Sequence, residues 1–270
     1  VKQSPNALSG NAGIVFTPSP KTKINALFST GFRTPNVDDL AKVFESTAGS
    51  LIVPNPSLKP EYTYNYEVGI SQLFGNIARL EASAYYTQLR DAIVTDAFTL
   101  NGQSQITYNG TLSKITANQN KRSAYVQGFN VNIFLKLSKT LQLTSTINRV
   151  IGKIKNDAGD TTPLDHIPPT YGRTSLLYQG KRFQAEAFSL YNGWKYLSDY
   201  NLGGEDNQQY ATADGMPAWM TLNVRTSFDV NKFLSLQVAC ENILDRNYRY
   251  FASGISAPGR NFIATVRGRF

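Results

Sequence analysis

The sequence predicts an all-β protein, a transmembrane antiparallel β-barrel, and three observations support this fold class. Apolar and polar residues alternate with a period of two along most of the chain, which is the pattern of strands and not of helices. Most predicted strands reach the roughly 9–11 residues that a membrane-spanning strand needs. Short and long connections alternate strictly, which puts short turns at one rim and long loops at the other, as in outer-membrane barrels.

The segment 61–70 shows the period-two pattern most clearly. Its apolar and aromatic face carries Tyr62, Tyr64, Tyr66, Val68 and Ile70. Glu61, Thr63, Asn65, Glu67 and Gly69 occupy the opposite face. Such a strand fits either a soluble sandwich, where the polar face meets solvent, or a wide barrel, where it lines an aqueous lumen. Strand length and loop asymmetry favour the barrel.

The pattern predicts about eleven strands, with boundaries uncertain by a few residues. In order, they span 11–18, 22–33, 60–74, 77–98, 120–138, 140–155, 169–179, 182–198, 217–230, 233–242 and 259–270. The short turns are expected at 18–21, 75–76, 138–140, 180–181 and 231–232. The long loops are expected at 34–59, 99–119, 156–168, 199–216 and 243–258. Within the first of these, a solvated loop is expected at 37–44, with a short helix as the alternative.

Composition excludes several other classes of protein. The chain has 270 residues, of which 41% are hydrophobic and 17% charged. No run of apolar residues exceeds three, so a membrane-spanning helix of about 20 residues is excluded. A single cysteine excludes an internal disulfide framework and a cysteine-rich metal site, and a single histidine excludes any site that needs two. The net charge is +8 without a Lys/Arg cluster longer than two residues, so no nucleic-acid partner is predicted.

Strand parity predicts that the chain is part of a larger barrel. Bacterial barrels have even strand numbers and keep both termini on the periplasmic side. The last predicted strand ends on the short-turn rim, so the first of eleven would begin at the long-loop rim. At least one preceding strand is therefore expected.

Several motifs, taken together, resemble TonB-dependent outer-membrane receptors. A pair of boxes flanks the first long loop, and three further segments resemble late strands of that family. These motifs are Phe32-Arg33-Thr34-Pro35 with Asn55-Pro56-Ser57-Leu58-Lys59-Pro60-Glu61, the stretch Pro163–Gly172, Glu241-Asn242-Ile243-Leu244-Asp245 with Tyr248, and Pro258–Phe262 leading to Phe270. The pattern is most similar to the branch of haemoglobin, transferrin and lactoferrin receptors.

The resemblance implies a 22-stranded barrel around an N-terminal plug, in the outer membrane of a Gram-negative bacterium. Residues 1–270 would form the C-terminal half of that barrel, with the plug and the N-terminal strands outside this chain. The implied function is active import of an iron-containing ligand such as haem or a ferric siderophore. The implied partners are the TonB complex, the small iron-containing ligand or a host iron protein, and outer-membrane lipid and lipopolysaccharide.

Candidate ligand-binding residues lie in or beside the long loops, and each has a structural alternative. His166 could ligate haem iron or another metal, or could simply lead into a strand beside two prolines. Haem receptors commonly place a histidine between the two boxes, but residues 36–54 contain none. Arg33 could attract an anionic ligand or pair with Glu61 or Glu67. Tyr108, Tyr200 and Tyr210 could contact a chelate or haem, or could belong to the aromatic girdle.

The sequence predicts no catalytic residues, no resident cofactor and no metal site. The acidic residues of the first long loop lack the spacing of a calcium loop, and no nucleophile elbow accompanies His166. We therefore expect the protein not to be an enzyme. Two alternatives to active iron import are a passive porin or adhesin barrel and import of another metal complex or nutrient. A soluble β-sandwich is a third, and it predicts that the apolar stripes pack on each other.

Overall fold

A computed structural model describes residues 8–47, 49–155, 160–202 and 204–269. Among these residues there are seventeen β-strands, one α-helix and two short 3₁₀ helices at Leu197–Asp199 and Gln208–Tyr210. The first elements are β1 (Asn11–Ser19), β2 (Thr22–Arg33), α1 (Val37–Ala41), β3 (Phe44–Thr47), β4 (Ser50–Ile52), β5 (Glu61–Phe74), β6 (Ala78–Ala97), β7 (Gln105–Tyr108) and β8 (Thr111–Lys136). The remaining strands are β9 (Leu141–Lys155), β10 (Thr161–Pro163), β11 (Tyr171–Gln179), β12 (Phe183–Asn192), β13 (Lys195–Tyr196), β14 (Gly215–Met216), β15 (Trp219–Asp229), β16 (Leu234–Glu241) and β17 (Asn261–Gly268).

Eleven of these strands form one continuous antiparallel sheet in the order β1-β2-β5-β6-β8-β9-β11-β12-β15-β16-β17. This confirms the predicted strand number and the all-β class. The short turns fall between β1 and β2, β5 and β6, β8 and β9, β11 and β12, and β15 and β16, as predicted. Among the described strands, β1 pairs only with β2 and β17 only with β16.

The strand register gives the sheet one apolar and one polar face. Register pairs such as Tyr66 with Tyr86 and Val224 with Cys240 place apolar side chains together on one face. That face is open: Phe262 is 73% exposed and Val238 is 56% exposed. In the described part of the chain the only other sheet is the two-stranded pair β13–β14, so no second layer covers it. The soluble sandwich, which required apolar stripes packed on each other, is therefore wrong.

The polar face carries compensated charges in the middle of the sheet. Glu186 on β12 accepts a hydrogen bond from Arg173 on β11 at 2.5 Å and one from Arg225 on β15 at 2.6 Å. The ring of Phe188 lies under both guanidinium groups, at 4.5 and 5.2 Å from its centroid. One carboxylate thus ties three adjacent strands together, which suits an aqueous lumen lined with charged groups.

One predicted long loop is partly strand, so the boundary at residue 120 is wrong. β8 begins at Thr111, and its first residues pair with β7 and, in parallel, with β4. The strand begins this early because its first residues contribute to a buried apolar cluster formed by Leu51, Val53, Ile115 and Ala117. Burying these side chains requires the segment 111–119 to run as an extended strand under the first long loop, and no periodicity within 99–119 signals that contact.

The predicted strand 182–198 ends earlier, at Asn192. Asn192 pairs with Trp219, the first residue of β15, so the neighbouring strand offers no partner beyond it. The chain then leaves the sheet, and Lys195–Tyr196 pairs instead with Gly215–Met216. The last strand is described over Asn261–Gly268, and Phe270, the end of its family motif, lies outside the described residues.

Most of the buried apolar side chains lie at the long-loop rim and not between sheet layers. Besides the cluster under the first loop, Ala92, Ala124 and Ile154 form a second buried group. The long loops therefore have a packed core of their own, which positions side chains above the sheet.

No α-helix among the described residues combines the length and the hydropathy needed to cross a membrane.

Candidate functional site

Arg33, Asp39 and Glu61 form a closed ion-pair cluster at the base of the first long loop, here called the Arg33 cluster. Arg33 and Glu61 face each other across β2 and β5. The Arg33 Nε donates to Glu61 at 2.8 Å, and its Nη1 donates to Asp39 at 2.7 Å. The second Glu61 oxygen accepts the Ile93 N–H at 2.8 Å. The pairing with Glu61, one of the two expectations for Arg33, is therefore present.

The short helix α1 is held by the same cluster. Asn36 and Asp39 form a reciprocal capping box, in which each side chain accepts the other's backbone N–H. The Asn118 side chain donates to the second Asp39 oxygen at 3.1 Å. The alternative of a short helix at 37–44 is thus confirmed over Val37–Ala41. The Asn36 and Asp39 side chains accept backbone N–H groups at the start of this helix.

The other residues of the paired boxes also fasten the loop. Asn55 is buried, donates to the Asn118 carbonyl at 2.8 Å and accepts from Ser57. Pro35 and Leu58 are buried beneath the loop, whereas Pro56 is exposed. Phe32 is exposed on the apolar face of β2. The boxes therefore hold the loop onto the ends of β5, β6 and β8.

Asn242 performs the same task at the base of the last long loop. It is buried, and its backbone has a left-handed φ of 47°. Its side chain donates to the carbonyls of Arg246 and Pro258 and accepts the Arg246 N–H at 2.9 Å. Its own N–H donates to Asn223 on β15 at 2.8 Å. One amide side chain thus closes the two ends of the loop 243–258.

The three candidate tyrosines occupy different environments. Tyr108 packs against the buried cluster of Leu51, Val53, Ile115 and Ala117. Tyr200 is 3% exposed and contacts Phe251 edge to face, with ring centroids 5.2 Å apart. Tyr210 is exposed, near Gly254 and the Arg249 side chain. The structure does not bring the three phenol groups together, and Tyr210 is the most accessible to a ligand.

Asp165, His166 and Asp206 meet at the rim above β11 and β12, and are here called the His166 cluster. One ring nitrogen of His166 and one oxygen of each carboxylate lie within 4.8 Å of one another. Asp206 is 1% exposed, and it accepts the N–H groups of His166 and Asn201, each at 2.7 Å. Asp165 accepts the Glu205 N–H. These bonds dock the loop before β11 onto the loop after β13.

The cluster brings two carboxylates into contact without a neighbouring ion pair. Within the described parts of the chain, no Lys or Arg nitrogen lies within 4.0 Å of Asp165 or Asp206. Lys195 is close, but its Nζ donates to the Ile167 carbonyl at 2.7 Å and lies 4.9 Å from the Phe251 ring centroid. Burial and the contact with Asp206 raise the pKa of Asp165 to about 6.

His166 is exposed and adopts a left-handed backbone conformation, with φ of 57°. A non-glycine residue rarely adopts this conformation outside tight turns. Here the turn exposes the imidazole while its backbone N–H reaches Asp206. The residue joins the carboxylate cluster to the neighbouring cavity.

A cavity of about 420 Å³ opens beside His166 at the tops of β11, β12 and β15. Tyr171 and Trp219 are both register partners of Asn192 and lie on the polar face of the sheet. The remaining walls come mostly from the loops before β11 and after β16. Its lining includes His166, Pro168, Tyr171, Leu190, Trp219, Tyr250 and Phe251.

One wall of the cavity is an aromatic stack. The Trp219 ring lies 4.2 Å from Tyr248 and 5.2 Å from Tyr250, measured between centroids, and the Tyr250 ring is perpendicular to it. Burial within this stack raises the pKa of Tyr248 to about 12. The Trp219 Nε1 is buried and has no hydrogen-bond partner among the described groups. The cavity therefore combines flat apolar surfaces with a few polar atoms, which is how small-molecule sites are usually built.

Sequence reasoning identified His166 but not the residues around it. Asp206 lies forty residues further along the chain, and Trp219 was assigned only to a strand. The adjacency of Asp165 to His166 was the one available signal. The position of Asp206 and the aromatic wall depend on how separate loops dock, which the spacing of residues does not show.

Comparisons with known proteins agree with this architecture. The sequence profile described as "TonB dependent receptor-like, beta-barrel" matches residues 1–243. Lactoferrin-binding protein A of Neisseria meningitidis serogroup A is 26% identical over 97% of this chain and 31% of its own length. Transferrin-binding protein A of Neisseria meningitidis serogroup B is 28% identical over 97% of this chain and 32% of its own length.

The fold matches a solved structure over nearly the whole chain. The structure of the copper transporter OprC has a TM-score of 0.77 at 19% identity, and the match covers 97% of this chain and 39% of that one. The chain thus spans about a third of the length of the curated relatives it matches. The matching profile describes receptors and the Neisseria relatives are named as binding proteins, in line with the expectation that this protein is not an enzyme. The chain belongs to the TonB-dependent receptor family, whose β-barrels lie in the outer membrane of Gram-negative bacteria.

Proposed function

We propose that this chain forms the wall and outer loops of an active importer for an iron-containing ligand, such as haem or a ferric siderophore, taken up directly or from a host iron protein. The observation that carries this proposal is the aromatic cavity beside His166 at the long-loop rim. Its flat walls suit a planar or aryl-rich ligand, because aromatic rings stack on such surfaces. The exposed imidazole suits a metal centre.

The relatives support iron as the cargo. Both Neisseria proteins are named for binding lactoferrin or transferrin, which makes a host iron protein a reasonable source. The solved structure with a similar fold is titled a copper transporter, which keeps another metal complex as the second candidate cargo. The shared fold alone does not favour one metal over the other.

Active transport also requires parts beyond the described sheet. We propose that β1 and β17 pair with further strands outside this chain that close the barrel, because unpaired strand edges are not tolerated in lipid. A plug and a segment that contacts the TonB complex would complete the receptor. The exposed apolar face of the sheet would contact outer-membrane lipid, and the net charge of +8 would suit lipopolysaccharide phosphates.

Equilibrium binding to the full-length receptor in detergent tests where the cargo binds. The probes are haemin, ferric enterobactin, iron-loaded lactoferrin and iron-loaded transferrin. Tyr250→Ala removes an exposed ring from the cavity wall, and we expect it to weaken binding of the recognised probe about tenfold, as for an aromatic contact residue.

Tyr196→Ala is the matched control. Tyr196 has nearly the same exposure as Tyr250, 57% against 52%, and does not line the aromatic cavity. We expect this control to bind like the wild type. Equal binding by the Tyr250 variant, or binding of none of the four probes, would contradict the proposal.

A further inference from the structure

The His166 cluster has the composition and spacing of a metal site. It offers one imidazole nitrogen and two carboxylate oxygens, all within 4.8 Å of one another. Ligand atoms around a tetrahedral zinc ion stand about 3.4 Å apart, since each lies about 2.0–2.2 Å from the metal. To share one ion, each of the three side chains therefore needs to move toward the centre of the cluster by up to about 0.8 Å.

The charges of the cluster also favour a bound cation. Asp206 is almost fully buried and lies in contact with the carboxyl group of Asp165. Two carboxylates in contact repel each other when both are charged, and a bound cation relieves that repulsion. The nearest lysine, Lys195, attracts Asp206 electrostatically but donates to a backbone carbonyl, and among the described residues no Lys or Arg nitrogen lies within 4.0 Å of either carboxylate. A divalent ion would balance both charges at once.

We propose that Asp165, His166 and Asp206 bind one divalent first-row transition-metal ion that clamps the loop before β11 to the loop after β13. Imidazole together with carboxylate oxygens suits ions such as Zn²⁺ or Fe²⁺, whereas Ca²⁺ takes six to eight oxygen ligands. Exposed His166 leaves the solvent side open for a water ligand. The ion holds the rim of the aromatic cavity, because His166 belongs to both.

Gly204 makes room for this arrangement. A Cβ at this position would lie 2.6 Å from the Asp165 carboxyl carbon, which no side chain tolerates without displacement. Gly204 is not a ligand, so Gly204→Ala displaces one ligand without removing any donor atom. Gly204→Ala therefore distinguishes a metal site with a defined ligand geometry from nonspecific attraction of cations to acidic groups.

The test is a calorimetric titration of the full-length, chelator-treated receptor with ZnCl₂. We expect the wild type to bind one equivalent that His166→Asn and Asp206→Asn do not bind. Asparagine is chosen at position 166 because it tolerates the left-handed backbone while removing the imidazole. We expect Gly204→Ala to weaken binding by about tenfold or more, the usual cost of displacing a ligand's support.

Asp214→Asn is the control. It removes an exposed carboxylate from the same loop without touching the cluster, so it retains the full equivalent. The proposal is overturned if the wild type binds no more zinc than His166→Asn, or if Asp214→Asn loses the same equivalent. Because His166 is exposed, its variant still gives a result if Asp206→Asn does not fold. Zinc binding is measured without any cargo, so the outcome is independent of the proposed import function.

Discussion

The Arg33 cluster and the His166 cluster lie at the same rim, and each contains two carboxylates that accept backbone N–H groups. In the Arg33 cluster a guanidinium bridges both acids, so each carboxylate has a cationic partner although the cluster keeps one net negative charge. In the His166 cluster the acids contact each other, and their neighbour is an imidazole. The difference shows that a recognisable sequence motif, here the paired boxes that include Arg33, can serve to hold a loop in place. The segment around His166 has a weaker sequence signal, yet it contains the two carboxylates that repel each other. Four changes test this contrast.

The largest expected effect comes from Arg33→Met. This change leaves Asp39 and Glu61 without their cation, while the aliphatic part of the side chain is kept. We expect the free energy of opening of the first long loop to fall by about 2–3 kcal/mol, since hydrogen bonds to charged groups are each worth about 1.5–3 kcal/mol. Hydrogen exchange of the amides in 34–60 measures this quantity.

Arg79→Met is the control for that change. The Arg79–Glu81 pair is long, at 3.4 Å, and both side chains are exposed, so its loss is expected to cost less than about 1 kcal/mol. If the two variants destabilise the receptor equally, the Arg33 cluster does not hold the first long loop in place.

Asn242→Ala tests whether uncharged hydrogen bonds hold the loop 243–258 in place. It removes three side-chain hydrogen bonds and leaves the carbonyls of Arg246 and Pro258 unpaired. We expect the loop 243–258 to open about 2 kcal/mol more easily. Limited proteolysis within that loop reports the change. Unchanged cleavage kinetics would show that the loop is held by other contacts.

The His166 cluster should respond to pH in the chelator-treated receptor. The folded-state pKa of Asp165 is about 6, above its ordinary value of 3.8, so the closed loop binds more protons than the open loop between these values. Stability of the closed loop therefore decreases as pH rises through this window and is constant above it. We expect a loss of about 1 kcal/mol, because partial exposure screens the interaction.

Hydrogen exchange of residues 164–168, corrected for the intrinsic dependence of exchange on pH, measures that loss. The same experiment on Asp165→Asn should show no such slope. An increase in the stability of the closed loop between pH 4 and 6 would contradict the raised pKa of Asp165.

The smallest effect has the opposite sign to the first. In the chelator-treated receptor at pH 7.5, Asp165→Asn removes one of two like charges and can still accept the Glu205 N–H through its carbonyl oxygen. We expect it to stabilise the docked loops by about 0.5–1 kcal/mol. Thermal denaturation with and without zinc measures this change. Destabilisation in the absence of metal would mean that the two acids do not repel each other.

The fold followed from the sequence because each strand carries its own signal. Alternation along segments such as 61–70 and turn residues between strands are local features, and they gave the strand number. The start of β8 at Thr111 could not be predicted, because it depends on burial of Ile115 under Leu51 and Val53, which are distant in the chain.

The candidate site followed from the sequence only in part. The pairing of Arg33 with Glu61 could be foreseen because Arg33 ends β2 and Glu61 begins its neighbour β5. The meeting of His166 with Asp206 could not, because it requires two loops to dock above the sheet. Loop docking depends on three-dimensional packing and leaves no periodic trace in the residues.

The most direct test of the central claim is growth of an iron-starved Gram-negative strain that lacks its own iron receptors and expresses the full-length protein. Haemin, ferric enterobactin, iron-loaded lactoferrin and iron-loaded transferrin are supplied in turn, with TonB present or deleted. The account predicts growth on at least one of these sources only when TonB is present. Growth that does not need TonB would indicate a passive pore, and no growth on any source would contradict iron import.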